Sequence, residues 1–404
     1  FCGTSAYFMN KYTLLLLSLV LLAPLGIDLY LPTLPQIAVG LSTPVENIQS
    51  TIPLFLLVMG LGQLVTGPLV DNLGRKPVAI AGLVLYVAGS LAAVFAVSWP
   101  WFLTARIVQG CAVCCTAVVA FSGVRDRLSG DEAAKTFGFL NGALNIVPAL
   151  APLLGGTLAG LFGWRAPFGF LALYGLIIGL LISFRLPETR PENTLEVPYF
   201  PLKQYAAILT NPRFVCFSLA NAGALGMVLT YVSLAPGVLM EQGGLSPFIF
   251  ALVFGANGLW IMLVSHLVSY VIRKAGRPFC LLSGALLMLV AAAMMTGEIL
   301  WFSTDLQHFW LCYMLPVAVA VSGLAFIIGP ATSYALEPYQ QQAGMASALQ
   351  GFIQMAGGAG GSLAILTLPV DPRSALTLMM LTGAVLAMIA WRCSQRVKGT
   401  LKAL

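Results

Sequence analysis

"RLPETRPENTLEVPYFPLKQ", residues 185–204, gathers six charged side chains and four prolines in a chain of 404 residues of which only 8% are charged. Proline fixes the backbone and removes a hydrogen-bond donor, so the stretch reads as mostly irregular, with a short helix over 202–209 lying along a membrane interface. On both sides of it the sequence is apolar in long blocks. A helix crosses a bilayer in about 20 apolar residues, and windows of that size lie at 12–34, 47–69, 78–98, 101–122, 135–160 and 166–185. Six more follow at 213–239, 246–271, 279–300, 309–335, 342–367 and 374–392. The expectation is an all-α polytopic membrane protein with twelve transmembrane helices in two pseudo-symmetric six-helix bundles. Its segments are a tail at 1–11, a first bundle at 12–185, a linker at 186–212, a second bundle at 213–392 and a tail at 393–404. Residues 1–8 precede Met9 and read as an artefact of start-site choice. The first window lacks a small-residue cleavage site and is expected to be a retained helix rather than a signal peptide.

Composition agrees. The chain is 59% hydrophobic, against roughly a quarter charged residues in an ordinary soluble domain. The formal charge is +6, yet the basic residues sit in short gaps between apolar runs, which argues against a nucleic-acid surface. With the N-terminus inside, every lysine and arginine falls on the cytoplasmic side except three. Arg165 and Arg373 lie opposite, and Arg106 lies within the fourth window. Positive charge marks the cytoplasmic face, so both termini are expected there.

The halves echo each other. "LGRKP" (73–77) follows the second window and "AGRP" (275–278) the eighth; "APLLGGTLAG" (151–160) is matched by "GGAGGSLA" (357–364). Such echoes mark a duplicated unit.

Several chemistries find no footing. The sequence has no GxxxxGK[ST] loop for nucleotide phosphates, no HExxH and no GxSxG. Nor does it have the repeated polar ring of a channel filter. Of its eight cysteines, Cys111, Cys114 and Cys115 form a CxxCC inside an apolar run without a nearby histidine, and read as packing residues. No enzyme, metal site or cofactor is expected. A secondary transporter needs only two halves, a midplane cavity and a few ionisable groups.

Asp28 supplies one such group. An aspartate at the centre of a membrane helix costs about 2.5–3.5 kcal/mol on insertion scales, so it asks for a role. Pro24 and Pro32 flank it and should make the helix irregular there, open to water or ligand. It reads either as a proton carrier or cation acceptor, or as a structural aspartate paired to a helix end or to Tyr30. Arg106 reads as a fixed charge acting on a nearby acid, as the holder of a buried polar network, or as a residue that snorkels outward. Tyr30, Asn145, Tyr231, Phe254, Gln350 and Gln354 are candidates for a substrate cavity, with Gln109, Asn221 and Asn257 as further polar groups. His266 is expected to pack between helices. In the second half Glu241, Glu298 and Asp305 fall near outer ends, which leaves proton chemistry to the first half.

"GPLVDNLGRKP" (67–77) resembles the signature loop between the second and third helices of the major facilitator superfamily, with Gly67, Asp71, Gly74, Arg75 and Lys76 at the family's spacing. "RIVQG" (106–110) is similar to its fourth-helix motif. "APLLGG" (151–156), with Pro152, Gly155 and Gly156, is similar to its antiporter motif, although Ala151 stands where the family has glycine. "DLYLPTLP" (28–35), "WRAPF" (164–168), "LPETRP" (186–191) and "SLAPGVLMEQGGLSP" (233–247) resemble the bicyclomycin/chloramphenicol-resistance branch of drug:proton antiporters.

The resemblance implies a monomeric exporter of small amphipathic drugs in the bacterial inner membrane, with the proton as coupling ion and lipid as its surroundings. It implies a gate at Gly67, Asp71, Gly74 and Arg75, Asp71 meeting the start of the eleventh helix, and proton coupling at Asp28 and Arg106. Gly67 and Gly74 are expected to allow close helix approach and a tight turn. An exporter of a specific metabolite such as an amino acid or sugar, or a transporter-like receptor, are the alternatives.

Overall fold

The computed structural model describes residues 3–127, 130–190, 202–302 and 309–402, and within them every regular element is a helix. The first window is α1 (Gly3–Val20), α2 (Leu22–Asp28), a 3₁₀ turn (Leu31–Thr33) and α3 (Leu34–Gly40). Then come α4 (Val45–Leu73), α5 (Arg75–Val94), α6 (Trp99–Arg127), α7 (Gly130–Phe162) and α8 (Ala166–Arg185). The short helix anticipated within the linker is α9 (Leu202–Leu209). The second half holds α10 (Pro212–Pro236), α11 (Pro247–Ala275), α12 (Arg277–Trp301), α13 (Trp310–Leu336), α14 (Ala343–Phe352), α15 (Gly358–Leu366) and α16 (Pro372–Lys402).

Local chemistry sets the boundaries. Asn211 Oδ1 accepts the Arg213 N–H at 3.0 Å and Ser246 Oγ accepts that of Ile249 at 3.3 Å, each ahead of a proline at the first helical position. That pairing of a polar cap with proline satisfies or removes amides left without intrahelical partners. Gly74, at φ +99°, separates α4 from α5 in a conformation that side chains with a Cβ rarely adopt.

Among the described residues, ten helical segments are long and apolar enough to cross a membrane, and Ile146–Phe162 is a shorter apolar helix. Their outward faces are greasy: Val84, Leu180, Leu263, Val290 and Val385 are all more than half exposed. In water that surface would be untenable; in hydrocarbon it costs nothing.

The chain divides into two compact units, residues 1–47 with 61–201, and 48–60 with 202–404. The duplication seen in sequence reappears as chemistry. In the first unit Arg75 opens α5 and its Nε donates to Asp126 Oδ2 near the end of α6, at 2.7 Å. In the second, Arg277 opens α12 and its Nη2 meets Glu337 Oε1 just past α13, at 3.1 Å. Glu337 also pairs with Arg213.

Candidate functional site

The first span breaks where its prolines anticipated. After Asp28, the last residue of α2, the backbone runs through a turn and a 3₁₀ segment before α3. A broken helix leaves carbonyls without intrahelical donors, and Arg106 reaches one of them. Its Nη2 donates to Gly26 O at 2.9 Å, its Nη1 to Gln109 Oε1 at 2.6 Å, and its guanidinium lies 4.4 Å from the Tyr30 ring centroid. Gln109 Nε2 continues the chain to Ser90 Oγ at 2.8 Å. All four side chains are fully buried, so Arg106 does not snorkel. Its charge is spread over a backbone carbonyl, an amide and a ring face.

Asp28 is 6% exposed, and among the described residues no side chain or backbone group pairs with its carboxyl. Among the described residues the carboxyl makes no hydrogen bond to Tyr30 or to a helix end. Nor do Asp28 and Arg106 form an ion pair; the arginine is committed to the carbonyl two residues earlier.

The helix carrying Pro152, Gly155 and Gly156 is driven against this break. A Cβ on Gly155 would stand 1.6 Å from Leu29 O, so α7 touches backbone to backbone the residue that follows Asp28. Pro152 is buried and Gly156 half-buried. The side chain of Asn145 lies outside the described residues.

A second cluster surrounds Arg75, which is 5% exposed. Besides Asp126 it pairs with Asp71 at 3.2 Å, and its Nη1 donates to Val70 O at 3.1 Å. Sequence reading missed the two other members of this cluster. Asp126 closes α6. Glu188, beyond α8, accepts the backbone N–H of Arg75 at 2.9 Å and of Lys76 at 3.1 Å, the first amides of α5. It also accepts the amides of Thr189 and Arg190, while Arg190 Nη1 donates to Asn72 O at 2.7 Å. The start of the linker is thereby clasped to the loop. The signal available was an acid directly after a span end, and its partners are main-chain atoms that no sequence marks.

Burial works against the charge of Glu188, but the donors from Arg75, Arg190, Lys76 and Thr189 outweigh it and hold the carboxyl below its usual range. A depressed carboxylate stabilises the fold above its unfolded pKa and loses that contribution as pH falls through the folded value. Glu188→Gln should therefore cost about 0.3–1 kcal/mol at neutral pH, the usual scale for an anion at a helix N-terminus. The gap to wild type should close on acidification. Thermal unfolding of both proteins across that range checks it; equal stability at pH 7 would dismiss the clasp.

Two expectations need correction. Among the described residues nothing lies within 4 Å of where a Gly67 Cβ would be, so the close helix approach expected of that glycine is not found there, whereas a Cβ on Gly74 would lie 2.7 Å from Glu188 Oε2. His266 is exposed, and its Nδ1 bonds Met262 O at 2.8 Å, one turn back on its own helix, rather than packing between helices. Periodicity alone did not reveal that it sits on the outward stripe of α11.

In the second unit Tyr231 stacks on Phe254 with centroids 5.5 Å apart, and Asn257 Nδ2 donates to its hydroxyl at 3.3 Å. Gln350 donates to Gln354 at 3.0 Å, and Asn221 to Thr332 at 2.8 Å. Glu298, near the end of α12, is buried, and Asp305 lies outside the described residues.

A family model described as Major Facilitator Superfamily matches residues 16–365. A chloramphenicol resistance protein of Pseudomonas aeruginosa is 31% identical over 398 residues, 98% of this chain and 93% of that one. The multidrug resistance protein MdtL of Salmonella typhi is 32% identical over 352 residues, covering 86% of each chain, and that of Citrobacter koseri 33% over 351. Among solved structures, a peptide transporter, POT, in complex with sulfate superposes with a TM-score of 0.75 at 13% identity, covering 96% of this chain and 95% of that one. A D-xylose-proton symporter does so at 0.72 and 14%, covering 94% and 97%. At such identities these two likenesses speak to the fold alone.

Proposed function

The chain belongs to the major facilitator superfamily, and from that membership we propose that it exports small amphipathic drugs in exchange for protons. It is a multi-pass membrane protein, a transporter rather than an enzyme, and it acts as a monomer in the bacterial inner membrane with both termini in the cytoplasm. The names of its relatives support drugs as the cargo. The observation that carries proton coupling is Asp28: a buried carboxyl beside a helix break, with no partner among the described residues. A buried carboxyl that no described residue holds by a hydrogen bond or ion pair can exchange its proton for a ligand.

The residues divide the work. Asp28 takes up the proton when the cavity opens outward and yields it inward. Arg106 holds the broken helix by the Gly26 carbonyl, two residues before the acid. Tyr30 shields the charge of the guanidinium. Gly155 and Pro152 press α7 onto the break and close it to leakage. Asp71, Gly74, Arg75, Asp126 and Glu188 form a cytoplasmic gate element whose shape changes with the access state. Tyr231, Phe254, Gln350 and Gln354 contribute aromatic and amide surface to substrate recognition. No cofactor is needed, since the proton is the coupling ion. One proton gains about 2.3 kcal/mol per 100 mV, enough for a gradient of more than tenfold at about 1.4 kcal/mol per decade.

Protein reconstituted in vesicles with an imposed pH gradient tests this. Chloramphenicol or ethidium should move against its gradient and evoke a matching proton flux. Drug movement without proton flux would remove the coupling; no drug movement would remove the export reading itself.

A further inference from the structure

Cys216 lies on the second turn of α10 and Cys393 towards the end of α16, and their sulfurs stand 3.2 Å apart. They are 177 residues apart in sequence, so the helices bring them together. The two helices touch through glycines: a Cβ on Gly223 would lie 3.2 Å from Gly383 Cα, and one on Gly383 would lie 3.2 Å from Gly223 O. Moving from that crossing back along α10 and forward along α16 reaches the two cysteines, as antiparallel helices in backbone contact require. Both belong to the second unit and both are half-buried.

We propose that Cys216 and Cys393 form a redox modification site, a dithiol that peroxide closes into a disulfide between the first and last long helices of the second unit. The sulfurs need to approach by only about 1.2 Å to reach disulfide length. One thiolate attacks a peroxide oxygen, the O–O bond breaks, and the departing hydroxide takes the thiol proton as water. The second sulfur then attacks the sulfenic sulfur and expels another hydroxide, which leaves as water with the second proton. Two thiols and one peroxide become one disulfide and two waters. In a reducing cytoplasm the pair rests as dithiol, and it closes under oxidative load. Because both helices lie within one unit, the bridge does not tie the units together. Oxidised protein is expected to keep transporting while resisting unfolding.

The test oxidises purified folded protein with hydrogen peroxide, quenches it, unfolds it in detergent and counts free thiols with a maleimide. Wild type should lose two thiols, whereas Cys216→Ser should keep its Cys393 thiol free and Cys393→Ser its Cys216 thiol. Mass spectrometry should find the peptides bearing Cys216 and Cys393 joined with the loss of two hydrogens. The melting temperature of the oxidised form should rise by about 5 °C, a long loop having been closed, and reductant should reverse it. Cys280, set among Val264, Val268 and Phe326, should remain reduced and serves as internal control. Wild type keeping both thiols free, or either one bridged to another cysteine, overturns the site. If a serine variant fails to fold, the mapped peptide from wild type decides alone.

Discussion

Asp28→Asn abolishes pH-gradient-driven export in reconstituted vesicles, while equilibrium binding of a neutral substrate stays within about twofold of wild type. The substitution keeps size and hydrogen-bonding capacity and removes the titratable group. Because no described residue pairs with the carboxyl, the exchange strands no partner, and the large penalty for breaking a buried pair does not arise. Folding and expression should hold. Without an exchangeable proton the drug can still run down its own gradient, so counterflow of substrate against substrate should survive. A one-unit pH difference, worth about 1.4 kcal/mol or tenfold accumulation per proton, should then accumulate nothing. A structural aspartate would give another pattern, lost binding and lost stability together. Undiminished uphill transport by the variant would place proton coupling elsewhere in the chain.

Arg106 shows why only part of this site could be read from sequence. The break at Leu29–Thr33 was legible, because proline at 24 and 32 removes backbone donors. The sequence left Arg106 open between a buried polar network and snorkelling outward, and the structure shows it buried. Its partner was not legible: Gly26 contributes a carbonyl, and every residue has one. Glu188 escaped for the same reason, its donors from Arg75, Lys76, Thr189 and Arg190 all being main-chain amides. Side-chain pairs repeated by duplication were easier. "LGRKP" and "AGRP" each place an arginine at a helix start, and each finds an acid at the end of the next helix, Asp126 in one unit and Glu337 in the other. Those acids needed the helix ends to be known before they could be matched. Gly67 carried the opposite lesson, a motif glycine with no described atom within 4 Å of where its Cβ would be. A motif names the residue type at a position without saying which contact requires it.

Gly155 is the motif position where the contact is explicit, and Gly155→Ala should be the most damaging single-methyl change in the first unit. The added Cβ would lie 1.6 Å from Leu29 O and 2.6 Å from Leu29 C, both backbone atoms that cannot rotate away. Either α7 or the turn after Asp28 must move by more than an ångström. Overpacking of this kind costs about 1–3 kcal/mol and at times more. It falls on the peptide adjoining the proposed proton carrier, so transport should drop by more than the loss of folded protein explains. Gly160, on the same helix, is the control. Among the described residues nothing lies within 4 Å of its missing Cβ, and alanine there should gain up to about 1 kcal/mol from helix propensity. Two substitutions of identical chemistry, five residues apart, should thus move stability in opposite directions. Thermal unfolding in detergent, read beside transport per folded molecule, makes the comparison. Were Gly155→Ala to unfold at the temperature of Gly160→Ala and transport normally, α7 would not be pressed on the Asp28 break, and the seal proposed for this helix would fall with it.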